Sequence, residues 1–168
     1  MQRYCYLIIL SFLMIIGQAN AEDISIHGRV VDKPCTVDID TEYKQIDLGK
    51  VIAHNIREAG TGGGWTNFDL LLEDCSASTP FVTAYFVGEP DVNDNNAFKN
   101  YGSGANVALQ ITNADHSVVY GNGSIKVVSI NMSTRKATFP LSARIISPLG
   151  NAKGGTFNSI VNVDFIYQ

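Results

Sequence analysis

The chain has 168 residues, 45% of them hydrophobic, with 12 basic against 16 acidic side chains and a formal charge of −4. That is the length of one domain, and an acidic balance offers no electrostatic footprint for a phosphate backbone or an anionic lipid surface, which argues against nucleic-acid binding and polybasic membrane attachment. Only 17% of residues are charged and 15 are glycine, a composition that disfavours disorder and coiled coil and favours a compact all-β domain.

In chain order, the first segment reads as a cleaved secretory signal. Arg3 supplies an early positive charge, Tyr4 to Ile16 is an apolar run too short to span a bilayer comfortably, and Ala19-Asn20-Ala21 has the small-x-small form of a cleavage site. Residues 1–21 are therefore expected to be removed, so that the mature chain begins at Glu22 and no later segment is apolar enough to cross a membrane. Residues 22–34 follow as a leader with period-2 alternation. Ile24, Ile26, Gly28, Val30 and Asp32 fall on one face, and Ser25, His27, Arg29 and Val31 on the other. Glycine within an apolar face packs nothing, but it suits a strand pressed closely against another surface.

Cys5 leaves with the signal, and the mature chain keeps Cys35 and Cys75, an even count in a compartment where disulfides persist. One bridge is the expected outcome, worth roughly 4 kcal/mol by loop-closure entropy. A metal site has little support, because there is no Cys-x-x-Cys and His27, His54 and His116 share no ligand spacing with either cysteine.

The body of the chain reads as short strands. Phe68 to Leu72, Phe81 to Val87, Val107 to Ile111, Ile125 to Ile130, Ala137 to Ile146 and Phe157 to Tyr167 are rich in β-branched and aromatic residues. Glycine- and asparagine-rich turns separate them. Such spacing, with a bridge joining an early strand to a middle one, predicts an immunoglobulin-like β-sandwich. The polar stretch from Asp91 to Asn100 is expected to be a solvated loop, since it lacks the alternation and closing glutamate of an EF-hand. In the final segment Val161, Val163, Phe165 and Tyr167 form a second alternating apolar face.

No enzyme signature emerges. Asp69, Glu73 and Asp74 could be read as catalytic carboxylates, but Asp69 alternates away from Phe68, Leu70 and Leu72 and reads as solvated, and Trp65 beside a glycine run reads as a packing residue rather than a sugar platform. There is no Gly-x-Ser-x-Gly, His-Glu-x-x-His or phosphate-binding glycine loop.

Taken in order, these pieces resemble the pilin subunits of chaperone–usher fimbriae of the type 1 and P pilus kind. The resemblance rests on the glycine-containing leader, Pro34-Cys35-Thr36-Val37-Asp38, Ile46-Asp47-Leu48-Gly49-Lys50-Val51, Cys75 after the Phe68-x-Leu70-x-Leu72 strand, Gly155 upstream of the last strand, and the penultimate Tyr167. It implies an all-β, incomplete immunoglobulin-like sandwich that lacks its C-terminal strand and is completed by a donor strand. Residues 22–34 would be the N-terminal donor-strand extension and 35–168 the pilin domain. By position, Ile24, Ile26, Gly28 and Val30 would be donor residues. Phe157, Val161, Val163, Phe165 and Tyr167 would border the acceptor groove and contact the chaperone, while Cys35 and Cys75 would form the disulfide. The implied partners are a periplasmic chaperone, an outer-membrane usher and neighbouring fimbrial subunits, without nucleic acid, cofactor or metal. The protein would travel through the periplasm to a cell-surface fimbrium and serve there as a structural subunit in cell adhesion. The short leader looks more like that of a minor or adaptor subunit. The alternative is a receptor-binding fimbrial adhesin, although the mature length leaves no room for a separate lectin domain.

Overall fold

The structure is a computed structural model, and it describes residues 35–167. Two sheets pack face to face. The larger is built from β1 (Thr36–Val37), β2 (Thr61–Gly62), β3 (Thr66–Glu73), β5 (Pro90–Asp91), β6 (Asp94–Lys99), β7 (Ala108–Asn113) and β9 (Ala137–Ser147), in the order β1-β3-β9-β7-β6-β5 with β2 pairing to β9. The smaller sheet holds β4 (Phe81–Val87), β8 (Ile125–Ser129) and β10 (Asn162–Tyr167), ordered β10-β4-β8. All strand pairs are antiparallel. Among the described residues helix is confined to one turn, α1 (Ile39–Glu42), and a 3-10 turn at Ala53–Ile56.

The strands form where period-2 patterning can bury one face. β9 is central, flanked by β3 and β7, and its Ala137, Phe139, Leu141, Ala143 and Ile145 all face the core. Pro140 is accommodated because β7 pairs only from Leu141 onward, so at Pro140 the strand has β3 alone as a neighbour. From the opposite sheet Val82, Ala84 and Phe86 meet this surface, with Phe86 stacked on Tyr120 at 5.1 Å between ring centroids. The Cys35–Cys75 disulfide is formed and closes 40 residues of sequence, tying the start of β1 to the end of β3.

Two expectations change. The Asp91 to Asn100 stretch is a β-hairpin, β5 with β6, and Ala97 and Phe98 are fully buried. Its polar residues build the turn: Asn93 N–H donates to Asp91 Oδ1 at 2.9 Å and Asn96 N–H to Asp94 Oδ1 at 3.0 Å. The last strand begins at Asn162 rather than Phe157. Residues 156–158 bond elsewhere, with Gly104 N–H donating to Thr156 O, Tyr101 N–H to Asn158 O, and Asn158 N–H to Asn100 Oδ1. Smaller shifts place β7 at Ala108–Asn113 and end β8 at Ser129.

Candidate functional site: an open groove between the sheets

The region after β1 sets up one border of a long groove. Asp38 caps α1, its Oδ1 accepting from Asp40 N–H at 3.0 Å, and Thr41 Oγ1 accepts from Leu71 N–H at 2.8 Å, which pins the helix to β3. The chain then continues without regular secondary structure along the groove, which Lys44, Ile46, Asp47 and Leu48 line. It turns at Gly49, whose φ of 66° favours glycine and whose N–H donates to Asp47 Oδ1 at 2.8 Å. No backbone bond joins Ile46, Asp47 or Leu48 to another strand among the described residues.

The opposite border is the last segment. Phe157, Ser159, Val161, Val163 and Phe165 line the groove, and β10 has β4 as its one partner among the described residues, so its other edge faces the opening. Gly155 allows this approach: a Cβ there would collide with Gly104 N and Ser103 C, and one at Gly102 with Thr156 O. The floor comes from Phe68 and Leu70 of β3, Leu109 and Ile111 of β7, and Leu141, Ala143 and Ile145 of β9. The volume of the groove is about 640 Å³.

Several lining residues are apolar yet only half-buried. Leu48, Phe68, Leu109, Val161, Val163 and Phe165 pack against the core on one side and face the groove on the other. Leaving such surface wet forfeits about 25 cal/mol per Å². The bare edge of β10 adds main-chain donors and acceptors in a row, the form of surface that captures another strand. Ser159 Oγ is buried without a hydrogen-bond partner among the described residues. The rim is polar, with Glu42, Lys44, Asp47 and Asp164.

Of the residues assigned to the acceptor border, Phe157, Val161, Val163 and Phe165 line the groove together. Tyr167 does not line it. Its ring packs on the core and its hydroxyl reaches Cys35 O at 3.4 Å, with burial pushing the phenol pKa up. The donor residues Ile24, Ile26, Gly28 and Val30 lie outside the described residues. The wall formed by Ile46 and Leu48 was legible only as a motif, not as a border; its signal is the short alternation of Ile46 and Leu48 around Asp47. Among the described residues no group of three His, Cys, Asp or Glu side chains is arranged to hold a metal, and no helix is long and apolar enough to cross a membrane.

The fimbrial protein family profile matches residues 24–168. The chain belongs to that family. It is 37% identical over 151 residues to the fimbrial-like protein YdeR of Escherichia coli K12, covering 90% of this chain and 87% of that one. It is 32% identical to protein FimG of the same organism, over the same shares of each chain. Among solved structures it resembles the P pilus rod subunit PapA, with a TM-score of 0.67 at 17% identity, covering 81% of this chain and all of that one. The chain is thus a chaperone–usher fimbrial subunit with an incomplete immunoglobulin-like fold, a structural component of a surface fibre.

Proposed function

We propose that this subunit polymerises by strand donation: its groove accepts a strand first from a periplasmic chaperone and then, at an outer-membrane usher, from the leader of a neighbouring subunit. The observation that carries the reading is the groove itself, apolar along its floor and bordered by an edge of β10 that pairs with no strand among the described residues. Residues 1–21 serve as the export signal, 22–34 as the donor extension and 35–168 as the acceptor domain. Ile24, Ile26 and Val30 would each contribute on the order of 1.5–3 kcal/mol when buried. Gly28 fits where backbone must approach the floor closely. Phe157, Val161, Val163 and Phe165 receive these side chains, and Tyr167 anchors the end of β10 beside the disulfide. Ser159 Oγ is then available to the main chain of the incoming strand. Because the donated strand becomes part of the sandwich, release requires partial unfolding and is slow. The protein has no catalytic role in this reading.

The test is thermal unfolding of a subunit starting at Cys35, alone and with an equimolar peptide spanning Glu22–Pro34. A large rise in Tm with the peptide, lost when the peptide carries Gly28→Leu, is the expected result. An unchanged Tm with the native peptide contradicts strand acceptance, and equal stabilisation by both peptides contradicts the register.

A further inference from the structure

At its Phe157 end the groove runs on into a second hollow. Gly49, Ile145 and Phe157 line both, and the second has a volume of about 390 Å³. Its charged lining residues are Lys50 and Lys153, with no carboxylate among them. Lys50 follows the Gly49 turn, and Lys153 is fixed at its main chain, where its N–H donates to Ala105 O at 2.9 Å. Both side chains are exposed. The ion pairs among the described residues, Lys99–Glu89 and Lys136–Glu73, include neither lysine.

Elsewhere the groove has the opposite sign. Its charged rim residues are Glu42, Asp47 and Asp164 against Lys44. Glu42 ends α1, which Thr41 pins to Leu71, close to where the disulfide ties β1 to β3. Asp164 stands late in β10, beside Phe165. The groove is therefore positive at its Phe157 end and mostly acidic toward its Tyr167 end.

Residues 22–34 carry the matching polarity. They open with Glu22-Asp23 ahead of Ile24, two carboxylates against one α-amino group, and their basic residues Arg29 and Lys33 come later, with Asp32 the one acid beside them. The eight steps from Glu22 to Val30 equal those from Phe157 to Phe165. A strand laid along that wall with Val30 beside Phe165 brings Glu22 and Asp23 to the hollow. Laid the other way, it would set the same carboxylates against Glu42 and Asp164 and leave both lysines without a counter-charge.

We infer that Lys50 and Lys153 recognise the acidic start, Glu22 and Asp23, of the leader of a second copy of this chain, and so select which strand the groove admits. The inference rests on strand donation as proposed above. Apolar side chains along the floor accept any strand of suitable size, whereas a pair of cations at one end rejects a leader that starts with a basic residue. Because these charges are exposed, they act mainly on the rate of encounter and are screened by salt.

The test is the association rate of a peptide spanning Glu22–Pro34, labelled at its C-terminus, with the mature chain, followed by fluorescence anisotropy at low and at high salt. Replacing Lys50→Gln together with Lys153→Gln should slow association roughly threefold or more at low salt, a difference that shrinks at high salt. A peptide with Glu22→Gln and Asp23→Asn should show the same loss on the native chain and no further loss on the lysine variant. A peptide with Glu22→Lys and Asp23→Lys should bind a Lys50→Glu, Lys153→Glu chain faster than it binds the native one. Equal rates for the native and neutral peptides, or losses that simply add, overturn the inference, while a native peptide that still raises Tm leaves strand donation standing. If the native peptide does not bind, both readings fall. Should a lysine variant not fold, the peptide substitutions on the native chain decide by the same comparison.

Discussion

β9 and β10 are both alternating strands, yet they end in different environments. β9 lies between β3 and β7 from Leu141 to Ala143, where those two residues are 1% and 2% exposed. β10 has β4 on one side and the groove on the other, and Val163, Phe165 and Tyr167 stay half-buried although they alternate just as regularly. Periodicity therefore marks which face of a strand is apolar, whereas what the rest of the fold lays over that face sets how far it is buried: Phe139 has β3 alone beside it and is still sealed, while the face of β10 opens on the groove. The two strands meet where Phe139 and Phe165 tilt together at 5.5 Å, so the finished and unfinished halves of the core share one contact.

Substitutions on each side of that contact sharpen the contrast. Phe139→Ala should cost about 3–5 kcal/mol in urea unfolding, with or without a bound leader peptide, because its site is sealed in either case. A cost that depends strongly on peptide would place Phe139 in the groove. Cys35→Ser should lose up to about 4 kcal/mol, since the bridge closes a loop of 40 residues. It should also lower periplasmic yield, and equal accumulation of the variant would contradict a stabilising role.

Phe165→Ala is expected to cost roughly half as much as Phe139→Ala in the free subunit, and clearly more in the peptide-bound form, as the lost ring then leaves a closed cavity. Equal costs in both states would mean that the border of the groove does not change on binding. The smallest effect concerns Tyr167. Burial raises its folded pKa above the unfolded value, so the associated stability is present below the unfolded pKa of about 10 and fades as pH rises through the folded pKa. Tyr167→Phe should therefore flatten the alkaline limb of a Tm-against-pH profile. Wild-type and variant curves that stay parallel above pH ~10 would remove Tyr167 from that limb.

Much of the architecture is legible in the residues. Phe81 to Val87 is a strand with the bounds its composition marks, and the inward set Val163, Phe165 and Tyr167 follows from alternation alone. The 94–99 strand was hidden because Asp91, Asn93, Asp94 and Asn96 read as solvated loop, while only Ala97 and Phe98 carry the core signal. Phe157 to Val161 looks like strand by composition, yet it binds the Asn100–Gly104 loop through main-chain and asparagine bonds that no local pattern announces. Trp65 reads correctly as a packing residue, but its companions Arg144 and His116 are far apart in sequence and meet it only across the sheet.

The amino-acid sequence by itself determined the strand class, the paired cysteines and the apolar face of the last strand, because each depends on residue type and on alternation between neighbours along the chain. Tertiary structure alone decided that Ile46 and Leu48 stand across from Val163 and Phe165 with an open groove between them, and that the Arg144 guanidinium rests on Trp65. Both outcomes depend on which strands become neighbours and which edges stay bare, a matter of long-range pairing that local periodicity does not encode.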